Sequence, residues 1–155
     1  MCGITGFYNK NNSISQNKVK LSRMTSRLKH RGPDSMGLWM EHNNGIYLGH
    51  RRLSIIDLSK KGDQPMVSKN GRYIIVFNGE IYNFKKLRNY IQSKVNLAFS
   101  NNTDTVVLLE LINITGIKKA LKLVQGMFSI AVWDRKTKNL YLARDKFGEK
   151  PLFYY

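Results

Sequence analysis

The sequence predicts a layered α/β fold of one domain, and three observations carry that expectation. Short apolar segments bounded by Gly, Asn and Pro sit at both ends of the chain and read as strands. A central block has helical apolar spacing. Strands come first, helices follow and strands return, so a doubly wound parallel sheet is not expected. The chain's 155 residues suffice for one core.

Taken in order, residues 2–8 read as a strand. Ser15 to Lys29 reads as a helix, with Val19, Leu21, Met24 and Leu28 on or near one face and Ser13 or Ser15 as cap. The Gly and Pro of residues 30–33 end it. Gly37–Glu41 and Ile46–Ile56 read as strands joined through Asn43-Asn44-Gly45, a hairpin signal. Residues 57–65 are a loop. Asn70-Gly71 turns into Arg72–Phe77, an almost wholly apolar segment expected as a buried strand that Asn78-Gly79 ends. Phe84–Lys94, Thr103–Asn113 and Ile117–Val124 read as helices. The second has Thr103 or Asn102 as cap and Asp104 in its first turn. Residues 128–134 and 140–145 read as strands, and 151–155 start another. A strand cut at Tyr154 and Tyr155 predicts either a cover for that edge or a longer protein.

One cysteine excludes an internal disulfide and points to a reducing compartment. The apolar runs 73–77 and 106–109 are too short to span a bilayer, and residues 1–9 lack the layout of a signal peptide. A cytoplasmic protein without membrane contact is expected. The net charge of +16 would suit nucleic acid. The lysines are scattered rather than gathered in one stripe, so a nucleic-acid partner is not expected.

Four features bear on chemistry. If Met1 is removed, Cys2 carries a thiol and a free α-amine on one residue, a nucleophile with its own base. Read alone, Cys2 is first a bystander at a frayed end. Asn78-Gly79 after a buried strand can offer a side-chain amide and an unhindered N–H to an oxyanion, although Asn44-Gly45 and Asn70-Gly71 carry the same letters as ordinary turns. Arg51 and Arg52 head an apolar strand, where an arginine can grip a carboxylate or simply face water. Asp104 could take an ammonium group or serve its helix. Together they describe a site for a zwitterionic amino acid with a side-chain amide, which points to glutamine. No metal site is expected.

The strings MCGITGFYN (1–9), HRGPDSMG (30–37), HRRLSIIDL (50–58), QP (64–65), FNGEIYNF (77–84), NTDT (102–105), QGMFSIAVWD (125–134) and ARDKFGEKPLFYY (143–155) run in order along the chain. With them the sequence resembles the glutaminase domain of glutamine-hydrolysing asparagine synthetases, within the class II glutamine amidotransferases. The resemblance implies a four-layer αββα sandwich of the N-terminal-nucleophile hydrolases, truncated at its closing strands, with 1–155 as the amidotransferase part of a longer protein. It implies Cys2 as nucleophile, Asn78 and Gly79 as oxyanion donors, and Arg52 rather than Arg51 on the glutamine carboxylate. Leu53, Ser54, Ile55 and Ile56 would line the pocket, with Glu80 beside the substrate amine and Asp104 on the α-ammonium. The ammonia would serve ATP- and Mg2+-dependent conversion of aspartate to asparagine in a C-terminal synthetase domain or subunit. No Ser-Gly-Gly-x-Asp loop for such a domain occurs in the chain, so no cofactor is expected within it. A homodimer is compatible with the resemblance. Synthetase-like enzymes of polysaccharide or secondary metabolism share the same strings, and a remnant that binds glutamine without turnover is the third reading. Val106 departs from the family, which usually has an acidic residue there.

Overall fold

The computed structural model describes residues 2–11, 13–54, 59–99 and 101–155. Alternating apolar residues pair the strands into two antiparallel sheets. In the first, β1 (Gly3–Tyr8), β2 (Ser35–Glu41) and β3 (Ile46–Arg52) take the order β1-β3-β2. The second joins β4 (Met66–Val67), β5 (Tyr73–Ile81), β6 (Gly126–Asp134) and β7 (Asn139–Arg144) in the order β4-β5-β6-β7. Helix α1 (Ile14–Arg27) covers the outer face of the first sheet. Helices α2 (Phe84–Lys94), α3 (Asp104–Thr115) and α4 (Ile117–Leu123) cover the second. The result is the expected αββα sandwich.

Strand parity decides which side chain enters which layer. Ile46, Leu48, Ile74, Val76, Ala131 and Trp133 form the core between the sheets, with Ile4 and Trp39 against it. Their neighbours turn outward: Tyr73, Ile75 and Phe77 pack under α2 and α3. On the other side Phe7 stacks on Tyr47 at 4.6 Å, and Asn17 of α1 donates to the Tyr47 hydroxyl at 2.9 Å.

Several expectations shift. Val19 is 49% exposed; the inward face of α1 is Asn17, Leu21 and Thr25, because Asn17 has a polar partner waiting in Tyr47. The strand expected over Ile46–Ile56 ends at Arg52, and residues 55–58 lie outside those described. Asn78-Gly79 does not end its strand: β5 runs through to Ile81, with Asn78 opposite Ser129 and Gly79 opposite Phe128. The other two Asn-Gly pairs are true turns, with φ of +70° at Gly45 and +74° at Gly71. Residues 151–155 join no ladder, and Phe153, Tyr154 and Tyr155 are exposed. Pro151 offers no N–H, and the N–H groups of Phe147, Glu149 and Lys150 fold back onto the Asp145 carboxylate instead.

Among the described residues no helix is long and apolar enough to cross a membrane. Gly49 is where α1 seats on β3: a Cβ there would collide with the Thr25 hydroxyl. Gly49→Ala should therefore destabilise the fold by about 1–3 kcal/mol, the usual range for overpacking. Urea unfolding measures it, and an unchanged midpoint would contradict the α1 docking.

Candidate active site

The same parity builds the site. Cys2 continues the inward set of β1 beyond Ile4, and Arg52 continues that of β3 beyond Leu48 and His50. Asn78 and Glu80 continue that of β5 beyond Val76. These side chains meet at one end of the sandwich. Cys2, Arg52, Asn78, Gly79, Glu80 and Asp104 all line one cavity of about 160 Å³. Cys2 Sγ lies 3.5 Å from the Leu53 N–H that donates to it and 3.7 Å from the Leu53 carbonyl.

Arg52 is held from several directions. Its Nη1 donates to Asp63 Oδ1 at 2.9 Å and to the Ser59 carbonyl at 2.7 Å. Asp63 is itself fixed by the Ser35 hydroxyl at 2.9 Å. Gly62 leaves room for the guanidinium, since a Cβ there would strike its Nη2. Arg51 points the opposite way and donates to the carbonyls of Gly32 (2.8 Å) and Pro33 (3.3 Å). Asp34 accepts the Ser54 N–H at 2.7 Å and returns its own N–H to the Arg52 carbonyl at 3.0 Å. The HRGPDS run thus works as a brace behind Arg52–Ser54. Leu53 lines the cavity, whereas Ser54 is tied to Asp34 behind it. Ile55 and Ile56 lie outside the described residues.

On β5, Phe77 and Ile81 send their N–H groups away from β6, to Gln64 Oε1 at 2.7 Å and Asp104 Oδ2 at 2.9 Å. By strand alternation the Gly79 N–H points the same way, between these two, into the cavity. Phe128, opposite Gly79, confirms the parity: its N–H and carbonyl are both bonded to Asp145, on the far side. A Cβ at Gly79 would collide with the Met127 carbonyl, so only glycine keeps the strand this close. The Asn78 amide and the Gly79 N–H are adjacent donors on one wall.

Asp104 opens α3 behind its cap, Thr103, whose hydroxyl accepts the Val106 N–H at 3.3 Å. Burial pushes the Asp104 carboxyl above the usual carboxylate range, opposed by the N–H groups of Ile81 and Thr105. A cationic group in the cavity would favour its ionised form. Val106 lies in the apolar core under β5 and not on the cavity.

The sequence reading missed Gln64 and Lys150, two buried polar residues that line the cavity. The Lys150 N–H is one of several bonded to the Asp145 carboxylate. Burial alone would raise that carboxyl, but the N–H groups of Lys150, Glu149 and Phe128 outweigh it and hold Asp145 at about 2. Both lie in strings that carry the resemblance, QP and ARDKFGEKPLFYY, but nothing in the linear sequence places them on the cavity. Among the described residues no group of three or more His, Cys, Asp or Glu could hold a metal ion.

His50 bridges the sheets: its Nε2–H donates to the Phe77 carbonyl at 3.1 Å. Burial, against the pull of that carbonyl, lowers it from 6.5 to about 4. Between those values the unfolded chain holds a proton that the folded chain does not. Stability should therefore fall as pH drops from about 6.5 to about 4. His50→Gln keeps a donor for Phe77 and removes the titration, so its stability should be flatter across that window. Identical slopes in denaturant titrations of the two proteins would contradict this.

The family model described as glutamine amidotransferase domain matches residues 1–155. A Bacillus subtilis asparagine synthetase (glutamine-hydrolyzing) is 39% identical over 99% of this chain and 25% of its own length. A Methanocaldococcus jannaschii putative asparagine synthetase is 37% identical over 100% of this chain and 32% of its own. An amidase of Gibberella zeae is 32% identical over 99% of this chain and 24% of its own. The chain thus spans about a fifth to a third of the length of the curated relatives it matches. The solved glutamine phosphoribosylpyrophosphate amidotransferase of B. subtilis superposes with a TM-score of 0.53, at 21% identity, over 65% of this chain and 23% of that one. It shares the N-terminal-nucleophile fold. With its fold, its cavity and the match along its whole length in agreement, this chain belongs to the glutamine amidotransferase domain family.

Proposed function

We propose that this chain hydrolyses glutamine at the cavity between its sheets, with Cys2 as the nucleophile. The observation that carries the reading is the convergence of Cys2, Arg52, Asn78, Gly79 and Asp104, from separate elements, on that one cavity. With Met1 removed, the α-amine of Cys2, whose ordinary pKa is about 7.7–8.0, takes the thiol proton. Sγ attacks the side-chain amide carbon of glutamine. The Asn78 amide and the Gly79 N–H hold the resulting oxyanion. Collapse breaks the C–N bond, the protonated amine returns its proton to nitrogen, and ammonia leaves. Water then cleaves the glutamyl thioester to glutamate and free thiol. Arg52 grips the α-carboxylate, while Asp104, aided by Glu80, holds the α-ammonium.

In a longer protein the ammonia would serve an ATP- and Mg2+-dependent synthetase domain or subunit that converts aspartate to asparagine. The full-length asparagine synthetases among the relatives support that reading.

Glutamate release from glutamine tests the half-reaction. Cys2→Ala should abolish it, and near wild-type turnover would remove Cys2 as nucleophile. Asn78→Ala should lower kcat by about 10²–10³, the usual loss for one oxyanion donor, and a change confined to KM would refute that role. Arg52→Ala and Asp104→Ala should act chiefly on KM. Absence of turnover by the chain lacking Met1 would mean either that further strands or a synthetase domain are needed to form the pocket, or that the chain is a glutamine-binding remnant.

A further inference from the structure

The edge of β5 that faces the cavity has almost no partner strand. Strand β4 pairs with it only through Val67–Ile74 and Met66–Ile75. Continuing that register places Gln64 opposite Phe77. The backbone ladder does not reach there: Pro65 has no N–H, and the Gln64 carbonyl abuts Gly37 of β2, where a Cβ would collide with it. The Gln64 side chain supplies what the backbone does not. Its Oε1 accepts the Phe77 N–H at 2.7 Å, and its Nε2 donates to the Thr105 hydroxyl at 3.4 Å. Gln64 is only 6% exposed. One buried amide therefore joins the residue before Asn78 to the residue after Asp104.

We propose that Gln64 is the positioning residue of the oxyanion site, a side chain that stands in for a missing ladder strand and leaves the Gly79 N–H free to face the substrate. The inference rests on the reading of Asn78 and Gly79 as oxyanion donors. The bonds on either side of Gly79, to Gln64 and to Asp104, set where its N–H points. A backbone partner extended by two more residues would have covered that N–H. A glutamine side chain ends the ladder one donor short and satisfies Phe77, whose N–H would otherwise be buried without an acceptor. A donor misplaced by a fraction of an ångström loses the developing charge more than it loses the neutral amide. Removal of Gln64 should thus slow the reaction without weakening ground-state binding.

The test uses the whole chain and two probes. One is glutamine. The other is a glutamine analogue with an aldehyde in place of the side-chain amide. The Cys2 thiol adds across its C=O, sulfur to carbon and proton to oxygen, which places an oxygen at the oxyanion position. Gln64→Met should lower kcat about tenfold or more and weaken the aldehyde about tenfold, with KM within about threefold. Glutamine affinity in the Cys2→Ala background should also stay within about threefold. A raised KM with intact kcat, or equal losses for aldehyde and glutamine, would overturn the proposal. So would wild-type behaviour. If Gln64→Met does not fold, Gln64→Asn keeps the polarity, draws the carbonyl off Phe77, and carries the same expectation and refutations. Asn78→Ala separates the levels. If it leaves kcat unchanged, the oxyanion reading itself fails. If it slows kcat while Gln64→Met does not, only the role of Gln64 fails.

Discussion

The site depends on the two-residue alternation of three strands held in a common register. Cys2 shares the parity of Ile4, Arg52 that of Leu48, and Asn78 that of Val76, each on the face that meets the opposite sheet. A one-residue slip in any of these strands would turn its functional side chain to a helix layer. The core between the sheets therefore does two tasks. Its apolar residues resist slippage, because a slipped register would exchange the side chains fitted to two differently packed buried faces. The same register delivers thiol, guanidinium and amide to one cavity.

Parity explains direction but not spacing, and polar bonds supply the rest. Arg51 and Arg52 have the same chemistry and opposite fates. Arg51 is spent on the carbonyls of Gly32 and Pro33, and that contact braces the backbone from which Arg52 reaches the cavity. Asp63 and the Ser59 carbonyl then set its guanidinium. Along β5, side chains replace a partner strand: Gln64 and Asp104 take the N–H groups on either side of Gly79, and His50 takes the Phe77 carbonyl. Backbone groups that would be satisfied by a ladder in an ordinary sheet are here satisfied one at a time, on either side of a Gly79 that faces the cavity.

Much of this was legible in the sequence. The strands with clear alternation and the helices with clear caps lie close to where their residues place them, and Thr103 caps α3 as expected. What failed had physical causes. Asn-Gly is a turn signal, and at Gly45 and Gly71 it is one. At Gly79 the same letters lie in a strand, because the close approach of Met127 requires glycine for a different reason. The apolar face expected of α1 did not include Asn17, because its burial depends on Tyr47, a partner that only the fold supplies. That Gln64 and Lys150 line the cavity was not visible in the sequence, because only the fold brings them to it. Linear reading had no access to Asp63 as the partner of Arg52 for the same reason.

The most direct test is covalent capture of the nucleophile. The chain would be treated with a glutamine analogue that carries an electrophilic carbon in place of the amide, and then mapped by mass. The account predicts one adduct, on Cys2 of chains that have lost Met1, prevented by excess glutamine and absent from Cys2→Ala. Glutamine turnover by a chain whose Cys2 stays unlabelled, or an adduct on any other residue, would contradict it.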